Sequence, residues 1–146
     1  MRLTTKGEYG VRAVVNLASR KGDRPTPISQ IAKEEAVSQA FLEQIFYRLR
    51  KTGMIRSVRG PGGGFLLNRD PAKVSLKEIL DAVGEPLFPV PCTDHNRETC
   101  KRRLICNMSP FWHDFYDSMR DHLDGITIAD VLRSAASRGL ERDPKA

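Results

Sequence analysis

Apolar residues over positions 37–67 recur first at helical spacing and then in two short runs on either side of a glycine-rich turn. The helical stripe consists of Leu42, Ile45, Phe46 and Leu49. Ser38 is a candidate N-cap of this helix, and Gly53 follows where a helix commonly ends in a left-handed residue. The two short runs, residues 54–59 and 65–68, predict the strands of a β-hairpin.

The same helical spacing predicts two helices before this region. The first covers Thr4–Ser19, although Gly7 and Gly10 weaken its first turns. Pro27 is a good first-turn residue for a short second helix, which would pair with the Ser38 helix as a helix-turn-helix. This order of elements favours a winged helix-turn-helix, in which the hairpin is the wing.

Further helices are predicted after the hairpin. Ser75 and Glu78 have the spacing of a capping box, and the helix that they begin would end at Gly84. Residues 85–103 show no apolar periodicity, whereas a long helix over residues 110–124 has a continuous apolar face. This face comprises Trp112, Phe115, Tyr116, Met119, Leu123 and Ile126. We expect it to form an antiparallel two-fold dimer, and folding back onto its own domain is the alternative.

Together these elements predict a mainly α-helical fold with a small β-hairpin wing, in which a winged helix-turn-helix precedes a long dimerisation helix. The predicted DNA-binding domain covers residues 1–84, and a cysteine-containing segment covers residues 85–106. The dimerisation helix and a last helix capped by Thr127 occupy residues 107–137. Residues 138–146 are predicted to be a flexible tail.

Charge along the 146 residues favours a nucleic-acid partner. The net charge is +6, and residues 1–70 contain 13 Lys and Arg against 6 Asp and Glu, whereas residues 71–146 contain 11 against 12. The positive excess therefore lies in the half that contains the helix-turn-helix, which is typical of a DNA-binding domain. The sequence contains no nucleophile–base motif and no phosphate-binding loop, so we do not expect an enzyme. No segment approaches the apolar length of a membrane span, so we expect no membrane partner and a cytoplasmic location.

The outer face of the Ser38 helix is small, polar or hydrogen-bonding, and the hairpin contains two arginines. The predicted DNA-contacting residues are Ser38, Gln39, Ala40, Glu43, Gln44, Tyr47, Arg48, Arg56, Arg59 and Gly60. The helix would enter the major groove of double-stranded DNA, and the hairpin would reach a phosphate or the minor groove. The carboxylate of Glu43 accepts from cytosine N4 but repels phosphate, so it can exclude some sites as well as select others.

Three cysteines lie close together at Cys92, Cys100 and Cys106, with the spacing C-x7-C-x5-C. An odd number of cysteines argues against a disulfide framework. Thiolates grouped on an irregular segment can bind a soft metal centre, either an iron–sulfur cluster or zinc. The wide spacing argues against a zinc knuckle, and inert or redox-active thiols are the alternative.

Four stretches of the chain resemble the IscR/NsrR-type winged-helix transcriptional regulators: MRLTTKGEYGVRA, FLEQIFYRLRKTGMIRSVRGPGGGFLL, the cysteine segment, and WHDFYDSMRDHLDGITIADVL. The resemblance extends in register over about residues 1–134. It implies a homodimer on a palindromic operator, with Glu43 and Gln44 at base edges and Arg59 in the wing. It also implies a 2Fe-2S or 4Fe-4S cluster on the three cysteines, next to the dimer helix, whose state changes which promoters are bound.

The fourth ligand of such a cluster is where the sequence departs from the family. IscR-type members have C-x5-C-x5-C followed three residues later by a ligand histidine, whereas here the first gap is seven and Ser109 occupies the histidine position. The NsrR-like branch uses a carboxylate near the N-terminus of the partner subunit, and Glu8 stands at that position. Glu8 is therefore the first choice, and His95, His113, Ser109 or no protein ligand stay open.

The resemblance and the residues together predict a homodimeric DNA-binding repressor or activator that senses iron, redox or nitric oxide status through an iron–sulfur cluster. The alternative is a cluster-free regulator of the same fold, switched by thiol chemistry or by a partner protein. The two are separated by colour, because a cluster protein is brown or red when it is purified without oxygen.

Overall fold

Six α-helices and one two-stranded antiparallel sheet form the part of the chain that a computed structural model describes, which is residues 2–20, 22–94, 100–102 and 104–140. The helices are α1 (Thr5–Ala18), α2 (Ile28–Glu34), α3 (Gln39–Lys51), α4 (Leu76–Val83), α5 (Ser109–Asp124) and α6 (Ile128–Ser137), and the strands are β1 (Ile55–Val58) and β2 (Gly64–Leu67). Short 3₁₀ turns cover Pro71–Lys73 and Pro91–Thr93. The prediction of a mainly helical fold with one hairpin is confirmed.

One hydrophobic core lies between α1, α2, α3, α4 and the hairpin, and the predicted stripe of α3 is its centre. All four residues of that stripe are buried, and they pack with Val14 of α1, Ile31 of α2 and Ile79 of α4. Burying side chains of this size stabilises a fold by about 1.5–3 kcal/mol each. The polar face of α3 is therefore directed outward by the burial of its apolar face.

Side-chain caps define where several helices begin. The hydroxyl of Ser38 accepts from the backbone N–H of Phe41 at 3.2 Å, as expected for an N-cap of α3. The predicted capping box of Ser75 and Glu78 is present at the start of α4. Thr127 caps α6, and Asp130 completes a second capping box there.

The first turns of α1 contain two glycines because α4 approaches them closely. Thr4 caps the helix, and its first residue is Thr5. A Cβ at Gly10 would lie 2.8 Å from Cγ1 of Val83, and one at Gly7 would overlap the carboxylate of Glu85. The sequence predicts these glycines as weak points of α1, whereas in the fold they provide the space in which α4 packs.

The hairpin is joined to the start of α2 by backbone hydrogen bonds. The N–H of Thr26 donates to the carbonyl of Phe65 at 3.0 Å, and the N–H of Phe65 donates to the carbonyl of Thr26 at 2.8 Å. Gly64 precedes this contact, and a Cβ there would overlap the backbone of Thr26. The sequence indicates only a turn before α2, so this third, single-residue strand of the wing is an addition from the structure.

A second isolated bridge returns the chain to the core after α5. The N–H of Leu76 donates to the carbonyl of Ile126, and the N–H of Ile128 donates to the carbonyl of Val74, both at 2.9 Å. Ile128 is fully buried, and α6 contacts α1. Among the described residues, no helix combines the length and the apolar content needed to cross a bilayer.

Candidate nucleic-acid interface and cysteine segment

The outer face of α3 is exposed along its whole length. Its exposed residues include Ser38, Gln39, Ala40, Glu43, Gln44, Tyr47 and Arg48, which are the residues predicted to contact DNA. The amide of Gln39 donates to the carboxylate of Glu43 at 3.0 Å, and the ammonium of Lys51 lies 5.5 Å from the centre of the Tyr47 ring. The face therefore presents amide, carboxylate, phenol and guanidinium groups, which can hydrogen-bond to base edges and phosphates.

The hairpin presents its arginines at two positions. Arg56 lies in β1, where it pairs with Leu66, and Arg59 follows β1 at the tip. Gly60 has a φ of 99°, which belongs to the left-handed region and allows the tight turn. All three predicted wing residues are exposed, and their contact with DNA stays a prediction.

A largely buried polar network, which the sequence patterns do not predict, holds the helix-turn-helix against α1. Arg12 donates from Nε to the carboxylate of Glu35 at 3.0 Å and from Nη2 to its backbone carbonyl at 3.1 Å. Asn16, fully buried, donates to Glu35 at 2.7 Å and to Glu34 at 2.9 Å. Arg20 donates to Asn16 at 2.8 Å and to Glu34 at 2.5 Å. A polar Asn16 on the apolar face of α1 was the available signal.

The central pair of this network is an ion pair with one buried partner. Glu35 is 3% exposed, whereas the Arg12 side chain is 41% exposed. Burial acts to lower the pKa of Arg12, but the hydrogen bond and negative charge of Glu35 outweigh burial and raise it. The guanidinium therefore stays charged and holds the end of α2 in place.

The turn between α2 and α3 contains a left-handed residue that is not glycine. Ala36 has a φ of 54°, a conformation that costs an L-residue about 1–2 kcal/mol. The N–H of Val37 donates to the carbonyl of Ala32 at 3.0 Å, which closes the end of α2. The turn thus depends on the contacts of its neighbours, including those of Glu35, to keep α3 in its orientation.

The three cysteines are free, half-buried thiols on the segment between α4 and α5. Cys92 lies in the 3₁₀ turn Pro91–Thr93, which contacts α5. The carbonyl of Cys106 accepts from the N–H of Ser109, the first residue of α5, at 3.1 Å. In the described part of the chain, no three His, Cys, Asp or Glu side chains are grouped closely enough to hold a metal ion. The described residues therefore include candidate metal ligands, but their side chains do not lie close together.

The beginning of the cysteine segment is bound to the first turn of α1. Glu85 is buried, and its carboxylate accepts from the N–H of Thr4 at 2.8 Å and from the hydroxyl of Thr4. A carboxylate in this place stabilises the N-terminus of α1 by charge as well as by hydrogen bonding. Glu8 lies in the same turn, is 58% exposed at its side chain, and forms an ion pair of 3.6 Å with Arg12.

The other candidates for a fourth ligand lie far from Glu8 in the sequence. Ser109 is the first residue of α5, and His113 is half-buried one turn later. His95 lies outside the described residues. Ser109 and His113 both lie near the start of α5, close in sequence to Cys106, and both stay candidates.

The apolar face of α5 is only partly covered. Tyr116 is buried, and Arg120 binds Asp81 of α4 with a distance of 3.0 Å between Nη2 and Oδ2. Nearer the start of the helix, Phe111 is 52% exposed and Phe115 is 43% exposed, with their rings stacked at 6.4 Å. Within this one chain, α5 therefore packs on α4 while aromatic surface remains exposed at its N-terminal half.

Comparison with known proteins identifies the family. A family model described as Rrf2, iron-dependent transcriptional regulator, matches residues 3–134. The chain belongs to the Rrf2 family. The HTH-type transcriptional regulator IscR of Photobacterium profundum is 36% identical over 133 residues, which is 91% of this chain and 76% of that protein.

Solved structures of Rrf2-family regulators share the fold. The T. potens IscR structure matches with a TM-score of 0.77 at 29% identity, covering 98% of this chain and 94% of that chain. The oxidised form of Staphylococcus aureus CymR matches with a TM-score of 0.72 at 28% identity, covering 90% and 95%. The predicted winged-helix fold is thereby confirmed. As an Rrf2-family member, the chain is a DNA-binding transcriptional regulator and not an enzyme.

Proposed function

We propose that this Rrf2-family regulator works as a homodimer and senses iron, redox or nitric oxide status through a 2Fe-2S or 4Fe-4S cluster held by Cys92, Cys100 and Cys106. The observation that supports this most directly is that all three cysteines of the chain are free, half-buried thiols on one segment between α4 and α5. Thiolates are the usual ligands of iron–sulfur clusters. The iron-dependent description of the family and the similarity to IscR add support.

The donor set fits such a cluster in its chemistry. Three thiols provide soft ligands, and outside Pro91–Thr93 the described residues of the segment form no helix or strand. Because the described side chains are not grouped for metal binding, we expect the segment to change conformation when the cysteines take up iron. The bound cluster would supply a redox-active iron centre.

Glu8 is the fourth ligand that we propose, contributed to the partner subunit's cysteines. Its carboxylate is 58% exposed, and its ion pair with Arg12 is long at 3.6 Å, so the oxygen atoms are accessible to a metal. It also lies next to Gly7, where Glu85 at the start of the cysteine segment packs. A carboxylate ligand would leave one iron more labile than a fourth thiolate would.

One end of the segment contacts the DNA-binding elements, and its other end leads into the proposed dimer helix. The carboxylate of Glu85 accepts a hydrogen bond from Thr4 at the start of α1. The backbone carbonyl of Cys106 accepts one from the N–H of Ser109 at the start of α5. Ordering the segment would therefore fix α5 relative to α1. In a homodimer this would set the separation and tilt of the two recognition helices on a palindromic operator, whose half-sites lie one helical turn apart.

Exposed apolar residues around the start of α5 support the dimer. They are Leu104, Ile105, Met108, Phe111 and Phe115. An apolar surface of this kind is typical of a protein–protein contact rather than of a monomer's surface. A second copy of the same helix would cover it through a two-fold, self-complementary contact.

The experiment that tests this function is anaerobic absorption and Mössbauer spectroscopy of freshly purified protein. We expect iron–sulfur bands in the wild type, loss of the bands in Cys92→Ala and Cys106→Ala, and changed Mössbauer parameters in Glu8→Ala. Asp23→Ala removes an exposed carboxylate from the turn before α2 and is the matched control. A wild type without iron, even after reconstitution, would contradict the cluster.

A thiol-switched regulator without a cluster is the second candidate. The free state and partial exposure of the three cysteines favour it, and so does the similarity to CymR, whose structure was solved in an oxidised form. In this case, reversible oxidation of the iron-free protein would change its DNA affinity, and replacing Cys92 with serine would remove the change. Unaltered DNA affinity after thiol oxidation would exclude this mechanism.

A further inference from the structure

Two cationic side chains from different helices meet at the end of α4. The guanidinium nitrogen Nη1 of Arg48 lies 3.1 Å, and the ammonium of Lys6 lies 3.8 Å, from the position that a Cβ of Gly84 would occupy. Both distances are measured from the same Cβ position, so the distance between the two nitrogens cannot exceed the two distances added together. Gly84 has a φ of 72° and no side chain, which leaves the space between the cations open.

Neither cation has an ion-pair partner in the described part of the chain. Lys6 and Arg48 have no ion pair or side-chain hydrogen bond to any described residue. Of the acidic residues nearby in the sequence, Glu8 pairs with Arg12, Glu43 accepts from Gln39, and Glu85, next to Gly84, accepts from Thr4. Two positive charges without an ion-pair partner repel each other, and an anion bound between them would relieve that repulsion.

Capping of α4 does not account for the pair. Cations near a helix C-terminus often bind its last carbonyls. Here the backbone binds two of them, since the N–H of Gly84 donates to the carbonyl of Asp81 at 3.0 Å and the N–H of Glu85 donates to that of Leu80 at 2.9 Å, and neither Lys6 nor Arg48 donates to another described carbonyl. The cations are therefore left with their donors available.

We propose that Lys6 and Arg48 together bind one phosphate of the operator backbone. A phosphate accepts charge-assisted hydrogen bonds of about 2.8 Å from each of two cations, and its negative charge relieves their repulsion. Arg48 lies one turn after Gln44 on the exposed face of α3, so this phosphate would flank the half-site that α3 contacts. The proposal rests on the proposed docking of α3 in the major groove, and it adds a contact from α1.

The test measures affinity for a selected operator duplex as a function of salt concentration. We expect Lys6→Gln and Arg48→Gln each to weaken binding and to reduce the slope of log K against log salt by up to about 1 per protomer. Because both cations would bind the same phosphate, the double variant should lose less affinity than the two single losses combined. Arg48→Lys, which keeps the charge, should retain most of the slope.

Arg138→Gln removes one charge from an exposed residue at the end of α6 and is the control for net charge. Thermal unfolding of each variant separates a DNA contact from a structural role. Strictly additive affinity losses, an unchanged slope, or lower thermal stability with unchanged affinity would each overturn the shared phosphate. A wild type that binds no duplex would instead overturn the docking of α3, whatever the spectroscopy of the cysteines shows.

Discussion

Replacing Arg12 with methionine tests whether the network between α1 and α2 stabilises the helix-turn-helix. Methionine keeps an unbranched apolar stem beside Tyr9, over whose ring the Arg12 guanidinium now lies at 4.7 Å. The substitution removes two hydrogen bonds to Glu35, of 3.0 and 3.1 Å. Asn16 still donates to Glu35 at 2.7 Å, so the carboxylate keeps one of its donors.

The expected cost follows from the burial of the two partners. Glu35 is 3% exposed, and a buried polar group left without a partner costs about 1–3 kcal/mol, more when it is charged, although Glu35 here keeps the donor of Asn16. Breaking a fully buried ion pair costs about 3–5 kcal/mol, but the 41% exposure of Arg12 places this pair below that range. We therefore expect the free energy of unfolding to fall by about 1–3 kcal/mol in Arg12→Met.

Urea unfolding followed by circular dichroism measures this change, with the m-value as a check that the unfolded state is unaltered. Arg133→Met is the matched control, because it removes an exposed ion pair with Asp130 and should leave the free energy of unfolding nearly unchanged. Adding Glu35→Gln to Arg12→Met removes the buried charge, so the double variant should be more stable than additivity predicts. An Arg12→Met variant within 0.5 kcal/mol of the wild type, roughly the error of additivity, would refute the reasoning.

Three further predictions concern DNA contacts and acid stability. Glu43→Ala should relax sequence preference without abolishing binding, since it removes a carboxylate that excludes sites, and a binding-site selection with unchanged preference would count against this role. Arg59→Ala should weaken binding to all sequences and lower the salt slope by about 1, whereas an unchanged slope would place Arg59 away from phosphate. The hydrogen bond from Arg69, together with the N–H of Ser75, lowers the pKa of Glu78, so its stabilising effect is present at neutral pH and is lost as the pH falls through that pKa. The melting temperatures of wild type and Glu78→Gln should therefore differ at pH 7 and converge in acid; a constant difference would contradict the role of the charge.

Local patterns in the sequence were sufficient to predict most helices and the hairpin. The apolar stripe of α3 requires only a knowledge of helical spacing, and the caps at Ser38 and Ser75 depend on residues three positions apart. The exposed polar face of α3 follows from the same spacing, because burying one side of a helix exposes the other. Candidate DNA contacts could therefore be named from the sequence, although their contact with DNA is still a prediction.

Contacts between distant parts of the chain could not be predicted in this way. The bridge of Thr26 with Phe65 joins residues whose own sequences indicate only a turn and a strand. Gly7 alone predicts a weak start of the helix. Its role is to leave space for Glu85, which lies far along the chain. The closeness of Lys6 to Arg48 depends likewise on how α1, α3 and α4 pack together.

The cysteines show the same limit for the candidate metal site. Their number and residue type could be deduced from the sequence and suffice to suggest the class of ligand. Their arrangement in space could not, because residues 85–103 have no apolar periodicity from which to derive packing. The fourth ligand of the proposed cluster would depend on that arrangement and on the second subunit of the proposed dimer, and from the sequence Glu8 is therefore one of several candidates.

The two ends of α5 are attached to different parts of the molecule. Near its C-terminus, Arg120 binds Asp81 and Asp124 accepts from Ser75 at 2.9 Å, so this end moves with α4. Its N-terminus follows directly from Cys106. With 16 residues, the helix is about 24 Å long, and a rotation of about 5° around its fixed end would displace its first turn by about 2 Å. A small rearrangement of the cysteine segment would thus be enlarged with distance from this pivot, and in the proposed homodimer the two-fold axis would apply the same displacement to both subunits.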